Sequence, residues 1–415
     1  MSKKHTTSLR GFKDILPEDL HHYYSIEKVL KNITNSYSIN ELRTPILEST
    51  NVFDKSLGSQ TDIVTKEMYV FNDKNSESVC LRPEGTSSIV RSVIENNLVY
   101  DRGIKKRKYW YYGPMFRYER PQKGRLRQFN QFGLEYFGFS GISSEIELIV
   151  LINKLFTTLE IDYYQLHINS IGNQVDRDLY GSKIKSIMSD NVSILTDAEK
   201  YTLENNPLRL LDSKNAKIKN ALSSMPTLYE SLNNESKKRF DSVIQLLDQL
   251  DINYIIDNSI VRGLDYYNDT VMEWKTDKLG SQDAICAGGR YDQLIQSNYS
   301  IDMPAVGVAL GVERLVELLK ITQTSSNQVK YAILNDSSEN INLFIKMSEL
   351  IRNTYPDHSF MNTDPEGSIS SQIKYAKKLN DKQAIIINNN RIKLHNFKDN
   401  SQVDVDISEL KKYLN

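Results

Sequence analysis

The sequence is poor in the residues that form disulfide frameworks or bind transition metals. Its 415 residues include two cysteines, Cys80 and Cys286, and six histidines. Two cysteines exclude a disulfide framework and a thiolate-rich metal site, and the histidines show no ligand spacing. We therefore expect no protein-ligated zinc and no other metal held by protein side chains.

Long apolar runs and a strong net charge are also lacking. No apolar run approaches the ~20 residues of a membrane span, and the first residues show no signal-peptide pattern. These features predict a cytoplasmic protein without a membrane partner. The net charge is −1, so a nucleic acid would have to be bound by local basic patches. Neither the P-loop nor the Rossmann glycine pattern occurs at a strand-to-helix junction, which argues against those nucleotide sites.

The most informative stretch of the chain is 109–138. Two aromatic-rich runs flank the charged segment 119–127, in which Pro121 and Gly124 supply turn residues. This pattern predicts two antiparallel strands joined by a long basic loop. A solvated hairpin tip is an equally good interpretation of the loop by itself, because charge runs usually lie at the surface.

One face of the second predicted strand has an unusual composition. The two-residue period places Gln131, Gly133 and Glu135 on the same side of the strand. An amide, a missing side chain and a carboxylate make a poor core stripe, so we expect a pocket floor with a small polar ligand over Gly133. At ~3.3 Å per residue, Gln131 and Glu135 lie ~13 Å apart and could hold opposite ends of a small molecule.

Three further segments resemble parts of a site. Glu84 is predicted where a strand gives way to a helix, with Gly85 and Thr86 following it. Taken alone, this segment favours a helix cap at Thr86 and a dipole partner at Glu84 over a binding site. Segment 261–267 contains Arg262, Tyr266 and Tyr267. Segment 305–315 is predicted as a small-residue strand that runs into a helix, with Arg314 in the first turn.

The remaining pattern predicts several domains. We expect a helix over 20–36 with Tyr24 on its apolar stripe, a short strand over 41–47 interrupted by Pro45, and a loop-to-helix segment at 287–292. Segment 171–252 has polar, helix-period sequence and is predicted to be a helical insertion. It divides a core into 1–170 and 253–322. A polar linker over 321–327 then leads to a small α/β domain, 328–415.

These residues suit a particular chemistry. Carboxylates and an amide could bind a cationic small molecule, while Arg117, Arg262 and Arg314 could bind anions. Activating a carboxylate on ATP needs both, because positive charge must stabilise the α-phosphate in the transition state. From the residues alone, the prediction is a small-molecule and phosphate site on an antiparallel sheet.

The ordered motifs resemble those of the class II aminoacyl-tRNA synthetases, and specifically the histidyl-tRNA synthetase family. The resemblance covers most of the chain. Segment 116–125 is similar to the second class II motif, 307–314 to the third, and a helix with Pro45 to the first, dimer-forming motif. Segments 81–86, 261–267 and 287–292 resemble stretches peculiar to the histidine enzymes. Together they imply an α+β fold: an antiparallel sheet flanked by helices, a helical insertion and a small C-terminal α/β domain of the anticodon-binding type.

The resemblance implies a role for each matching residue. For histidine, it implies that Glu84, Thr86 and Gln131 bind the ammonium group, that Glu135 and Tyr267 bind the imidazole, and that Gly85 and Tyr266 line the pocket. For ATP, it implies that Arg117 binds the α-phosphate and the histidine carboxylate, that Arg125 and Arg314 bind the outer phosphates, and that Arg262 is catalytic. Arg120 and Gln122 are implied to contact the tRNA acceptor end. The implied substrates are L-histidine, ATP with Mg²⁺ and tRNA(His), and the implied assembly is a homodimer.

Two alternatives stay open beside this interpretation. One is a histidine-binding regulatory subunit of ATP phosphoribosyltransferase, against which Arg262, Arg314 and the anticodon-like domain argue. The other is a class II enzyme for a different amino acid, which Glu135 disfavours because its carboxylate needs a donor such as the imidazole N–H. Asn130 stands where many relatives have histidine, and 388–391 departs from the family pattern, in which relatives carry a Gly/Glu-containing turn.

Overall fold

A computed structural model describes residues 7–58, 61–99, 105–213, 215–261, 266–280, 283–322, 330–336, 340–379 and 382–414. The chain divides into two compact units, Met1–Thr324 and Ser325–Asn415. Among the described residues, no helix is both long and apolar enough to cross a membrane.

The first unit is built on an antiparallel-rich sheet. Its strands are β1 (Asn40–Glu41), β2 (Leu47–Ser49), β3 (Tyr69–Asn72), β4 (Ser78–Leu81), β5 (Arg107–Phe116), β6 (Gln128–Phe137), β7 (Gln165–Ser170), β8 (Tyr254–Ile256), β9 (Asn268–Lys275), β10 (Ala284–Arg290) and β11 (Ala305–Gly311). Over the described ranges, eight of them form one sheet in the order β1-β5-β6-β11-β10-β9-β7-β8, and β2-β4-β3 form a small separate sheet.

Helices cover both faces of the large sheet. They are α1 (Pro17–Ser36), α2 (Thr50–Leu57), α3 (Thr86–Glu95), α4 (Ser143–Thr158), α5 (Gln174–Ser189), α6 (Asp197–Asn205), α7 (Ala216–Leu222), α8 (Leu228–Ser231), α9 (Asn234–Gln249), α10 (Asp292–Tyr299) and α11 (Val312–Thr322). One core contains Leu134 of β6 and Ile149 of α4. The opposite core contains Phe137 of β6 and Ile89 of α3. This arrangement confirms the predicted antiparallel sheet flanked by helices.

The predicted hairpin is present. β5 pairs antiparallel with β6 over ten residue pairs, from Arg107 opposite Phe137 to Phe116 opposite Gln128. On its other side β6 pairs antiparallel with β11, so that Gly133 lies opposite Ala309. The long loop between β5 and β6 carries a tight turn in which Gln122 and Arg125 exchange backbone hydrogen bonds of 3.0 Å.

Three local predictions were wrong. Tyr24 is 62% exposed and its neighbour Tyr23 is buried, so Tyr23 takes the place predicted for Tyr24 in the apolar stripe of α1, in which Leu30 and Ile33 are buried. Pro45 lies between β1 and β2 and not on a helix. Segment 287–290 is strand and not loop, because β10 is hydrogen-bonded between β9 and β11; a Cβ on Gly288 would lie 2.1 Å from the Gly307 carbonyl oxygen.

The second unit is the predicted small α/β domain. It contains β12 (Lys330–Asn335), α12 (Ile341–Thr354), β13 (Ser359–Asn362), α13 (Ile369–Leu379), β14 (Gln383–Asn388), β15 (Arg391–Asn396) and β16 (Gln402–Val405). The strand order is β13-β12-β14-β15-β16. Alternate residues of β12 enter two cores, Ile333 on one face and Leu334 on the other. β13 and β16 were not predicted, and residues 323–327 of the predicted linker lie outside the described ranges.

Candidate active site

A cavity of about 430 Å³ lies over the face of the large sheet around β6, β10 and β11. Besides strand residues, its walls include the first residues of α3 and α11, the β5–β6 loop and a π-helical turn at Ile63–Glu67. The structure thus brings residues from seven separate stretches of sequence to one place. Eight residues predicted for the site line this cavity: Glu84, Thr86, Arg117, Arg125, Gln131, Tyr266, Tyr267 and Arg314.

The start of α3 forms one wall. The Glu84 carboxylate accepts hydrogen bonds from the backbone N–H groups of Thr86, at 2.7 Å, and Ser87, at 2.8 Å. Because the first N–H groups of a helix have no partner within the helix, Glu84 acts as a cap and lies at the positive end of the dipole. Gly85 is the N-cap position, so the suggested capping role of Thr86 was wrong. A carboxylate offers about four acceptor positions, so Glu84 also retains capacity for a ligand.

Arg82 holds this wall in place from behind. The Nε atom of Arg82 donates to the Pro114 carbonyl at 2.9 Å, and Nη1 donates to the carbonyl and hydroxyl oxygens of Thr44, both at 2.9 Å. The residue is 6% exposed. One buried guanidinium therefore fixes the chain entering Glu84 against β5 and the segment that precedes β2.

The predicted face of β6 points toward this region, but its centre is already filled. The Gln131 Oε1 atom accepts from Gly85 N at 2.9 Å and from the Tyr111 hydroxyl at 3.2 Å. A Cβ added to Gly133 would lie 2.2 Å from Tyr111 Cζ, and one added to Gly85 would lie 2.1 Å from Tyr111 Cε2. The ring of Tyr111 occupies the space over Gly133, so the expectation of a ligand there was wrong.

Glu135 is the most deeply buried carboxylate of the region. It is 1% exposed and does not line the cavity directly. Its two oxygens accept from the Thr86 hydroxyl at 2.7 Å and the Tyr291 hydroxyl at 2.5 Å. Burial raises the pKa of Glu135 to about 8, against the opposing effect of these two hydrogen bonds. Tyr291 was not predicted as a site residue, although it lies in segment 287–292, which resembles a stretch peculiar to the histidine enzymes.

Two tyrosines complete the side of the cavity near Thr86. Tyr266 and Tyr267 are 5% and 6% exposed, and their ring centroids are 4.6 Å apart. The Arg177 Nη1 atom, from α5, donates to the Tyr267 carbonyl at 2.8 Å. The segment that precedes these tyrosines contains Arg262, which lies outside the described residues.

Arginines dominate the other end of the cavity. Arg117 donates from Nε to the Pro83 carbonyl at 2.8 Å, and its Nη1 lies 3.8 Å from Glu119 Oε1. Arg125 pairs with the other oxygen of Glu119. Arg314 donates to the carbonyl oxygens of Gly124, at 3.4 Å, and Ala284.

Burial lowers the pKa of all three guanidinium groups, Arg117, Arg125 and Arg314. A charge that has lost part of its hydration is stabilised when an anion binds beside it. The arrangement therefore favours phosphate binding at this end, while the oxygens of Glu84 favour a cation at the other. Glu119, which sequence reasoning passed over as part of a charge run, holds Arg125 in the ligand-free site.

Two predicted site residues lie apart from the cavity. Arg120 and Gln122 are exposed on the β5–β6 loop and do not line it. Their position in an exposed loop leaves both side chains accessible to a macromolecule. In the described ranges, no group of three or more His, Cys, Asp and Glu residues could hold a metal ion.

Comparison with known proteins assigns the chain to a family. A family model described as "Histidyl-tRNA synthetase" matches residues 11–174 and 189–315. The chain is 43% identical over 401 residues to a histidine–tRNA ligase of Buchnera aphidicola subsp. Schizaphis graminum, covering 96% of this chain and 93% of the relative. It is 42% identical over 389 residues to that of Legionella pneumophila strain Paris, covering 93% and 91% of the two chains.

Solved structures share the fold. Apo histidyl-tRNA synthetase of S. aureus matches with a TM-score of 0.78 and 29% identity, over 99% of this chain and 100% of the other. A Bacillus halodurans C protein titled ATP phosphoribosyltransferase regulatory subunit/histidyl-tRNA synthetase matches with a TM-score of 0.64 over 93% and 99% of the chains. At 21% identity, that second likeness concerns the fold alone. The family model and the two relatives together show that this chain belongs to the histidyl-tRNA synthetase family.

Proposed function

We propose that this chain is a histidine–tRNA ligase, which activates L-histidine with ATP as histidyl-adenylate and transfers it to the 3′ end of tRNA(His). The observation that carries the proposal is the distribution of charge in the 430 Å³ cavity. The Glu84 carboxylate and the Gln131 amide lie at one end, and three guanidinium groups lie at the other, where Glu119 is within ion-pair distance of Arg117 and Arg125. A site that holds an amino acid beside a nucleoside triphosphate needs acceptors for the ammonium group at one end and cations for the phosphates at the other.

The amino-acid end is assigned by its hydrogen-bonding capacity. Glu84, Thr86 and Gln131 would bind the ammonium group, beside Gly85 and Tyr266. Glu135 and Tyr267 would recognise the imidazole ring of the substrate. The buried Glu135 carboxylate supports this assignment, because it accepts from Thr86 and Tyr291 and still has acceptor positions for an imidazole N–H.

The nucleotide end is assigned by its arginines. Arg117 would bind the α-phosphate and the histidine carboxylate, Arg125 and Arg314 would bind the outer phosphates, and Arg262 would act as the catalytic cation on the α-phosphate. ATP is a co-substrate, with Mg²⁺ accompanying its phosphates. Glu119 would release Arg125 when phosphate arrives, since the two anions compete for one guanidinium.

The remaining assignments concern tRNA and assembly. Arg120 and Gln122 would contact the acceptor end, the inserted helices of 171–252 the acceptor arm, and domain 328–415 the anticodon. A cytoplasmic homodimer is part of the proposal. Apolar side chains exposed on the small sheet and its edge, Ile46, Leu47, Val70 and Phe71, favour burial against a second copy.

ATP–pyrophosphate exchange tests the proposal directly. We expect exchange that depends on histidine and on none of the other standard amino acids, followed by histidylation of tRNA(His). Histidine binding without exchange would instead support the regulatory-subunit alternative. Exchange driven by a different amino acid would refute the substrate assignment.

The role of Arg262 is tested with Arg262→His. We expect the rate of adenylate formation to fall far more than histidine affinity, because the contact should strengthen in the transition state. Histidine binding is measured by calorimetry and adenylate formation by rapid quench. Equal losses in the two measurements would remove the catalytic assignment.

A further inference from the structure

Arg209 lies where three cavities meet. It belongs to a 3-10 turn, Pro207–Asp212, among the inserted helices, and it lines the main cavity. A neighbouring cavity of about 320 Å³ shares Arg209 and Asp62 with the main one. Another, of about 500 Å³, shares Arg209 and Tyr267 with it. The insertion therefore contributes a cation directly to the wall of the proposed catalytic site.

The guanidinium of Arg209 has no side-chain hydrogen bond or ion pair among the described residues, although it is partly buried. The cations assigned to substrate behave differently, since Arg117, Arg125 and Arg314 all have protein partners. None of its nitrogen atoms is among the buried side-chain atoms without a partner, so the guanidinium meets solvent and its N–H donors are available to an anion that enters from the cavities. Arg209 is thus prepared for an anion that the folded chain does not supply.

The walls of the 500 Å³ cavity indicate what kind of anion this is. Helix α5 presents Gln174, Ser182 and Lys185 to it at helical spacing, and Asn205 and Asn206 lie beside Arg209. These groups have partners in the chain: the Gln174 amide donates to the Asp178 carboxylate at 2.7 Å, and the Ser182 hydroxyl and the Lys185 ammonium donate to the carbonyl oxygens of Asp178 and Glu204, both at 2.8 Å. The amide and the ammonium each keep a further N–H for a ligand. Amide, hydroxyl and ammonium groups in series suit a chain of phosphates and sugar hydroxyls better than an isolated inorganic ion.

We propose that Arg209 binds a backbone phosphate in the single-stranded 3′-terminal segment of the tRNA and positions its last ribose beside histidyl-adenylate. This inference rests on the proposed function. In the transfer step, a ribose hydroxyl oxygen bonds to the histidyl carbonyl carbon and the bond from that carbon to the phosphate oxygen breaks. AMP leaves with the electron pair, and the hydroxyl proton passes to water. Arg209 is a positioning residue in this step.

The first experiment separates the two half-reactions in Arg209→Ala, Arg209→Gln and Arg209→Lys. ATP–pyrophosphate exchange, which needs no tRNA, should stay within about twofold of wild type. Transfer from preformed histidyl-adenylate should fall about 10- to 100-fold in the alanine and glutamine variants, the range for losing a charged hydrogen bond. The lysine variant should recover part of the lost transfer rate, because lysine keeps the positive charge but lacks the planar, bidentate donor geometry of the guanidinium group.

The second experiment measures tRNA affinity against salt concentration. Removing one phosphate contact to a single strand should reduce the slope of log affinity against log salt by about 0.7. A purely structural role for Arg209 would not change this slope. Lys28→Ala is the matched control, since Lys28 is an exposed cation of α1, outside the insertion, that lines none of the three cavities; both half-reactions should be unaffected.

Several outcomes would overturn the inference. Exchange that falls as much as transfer would place Arg209 on ATP or histidine, and unchanged transfer or an unchanged salt slope would remove it from tRNA binding. The glutamine variant keeps the test valid if the alanine variant does not fold. A wild-type chain without histidine-dependent exchange would instead refute the proposed function, which is a separate result.

Discussion

Glu84 combines two roles that the sequence presented as alternatives. Its carboxylate caps α3 through Thr86 N and Ser87 N and also lines the cavity. Glu84→Gln should lower the free energy of unfolding by about 1 kcal/mol, because a neutral amide caps less well at the positive end of the dipole. It should also raise the KM for histidine about 10- to 100-fold in pyrophosphate exchange, because a charged contact is lost.

The control for that prediction is Glu95→Gln at the last residue of the same helix. Glu95 is exposed and pairs with Arg91 across one turn, an interaction of small value at the surface. We expect little change in stability and none in KM. A Glu84→Gln variant that loses stability but keeps its KM would reduce Glu84 to a helix cap.

Glu313 makes stability depend on pH. Its carboxylate is 8% exposed and accepts from Asn130 N at 2.9 Å and Asn130 Nδ2 at 3.0 Å. Burial raises its pKa from 4.5 to about 7, despite those hydrogen bonds. The folded state therefore holds the proton more tightly than the unfolded state. The resulting stabilisation is fully present below pH 4.5 and is lost as the pH rises through 7.

Glu313→Gln removes this titration. As the pH rises from 4.5 to 7, the unfolding free energy of wild type should fall relative to that of the variant, by up to about 3 kcal/mol. Urea denaturation at a series of pH values measures it. A constant difference across that window would show that Glu313 does not titrate there.

At the scale of elements, the packing of β5 on β6 and the start of α3 depends on two missing side chains. Gly133→Ala would place a methyl group against the Tyr111 ring, so we expect a loss of about 1–3 kcal/mol in unfolding free energy from overpacking. Gly141→Ala is the control, because its Cβ would meet nothing nearer than Ser143 Oγ at 3.7 Å. Equal effects of the two substitutions in thermal denaturation would contradict this account of Gly133.

The elements that the sequence predicted well are those with strong local patterns. The alternation in 128–137 predicted both faces of β6, and the small residues of 305–311 predicted the strand that runs into α11. Segment 287–290 misled the prediction because Gly288 and Gly289 suggest a turn. Their actual role is the close approach of β10 to its neighbours, in which Thr270 and Gly307 contribute the facing carbonyls. These contacts join residues that are far apart in sequence, so the residues around Gly288 and Gly289 carry no pattern that predicts them.

Site residues were predictable only where a motif carried them. Glu84, Gln131 and Arg314 came from distinctive segments. Arg209 lies in the helical insertion, whose sequence matches the family only loosely. There, one arginine among many polar residues cannot be told from an ordinary surface residue. Tyr111 was hidden in an aromatic run whose members have unequal roles: Tyr111 packs on two glycines, whereas Trp110 lies in the opposite core.

At the scale of the whole molecule, every described residue assigned to histidine or ATP lies in the unit Met1–Thr324. A chain ending at residue 324 should therefore retain histidine-dependent pyrophosphate exchange. It should lose most of its histidylation of tRNA(His) if the second unit binds the anticodon. Both activities are measured beside the full chain, with a thermal melt as the folding control. A folded truncated chain without exchange would show that the second unit contributes to activation.

The strand order of the large sheet has a consequence for how the site comes into being. β6 ends at Phe137, but its neighbour β11 begins only at Ala305. At translation rates of about 5–20 residues per second, roughly 8 to 35 seconds separate their appearance from the ribosome. During that interval one edge of β6 lacks its partner and the arginine end of the cavity lacks Arg314. The nascent chain is therefore inactive until β11 and the first turn of α11 have been made, and it must avoid pairing that exposed edge with another chain.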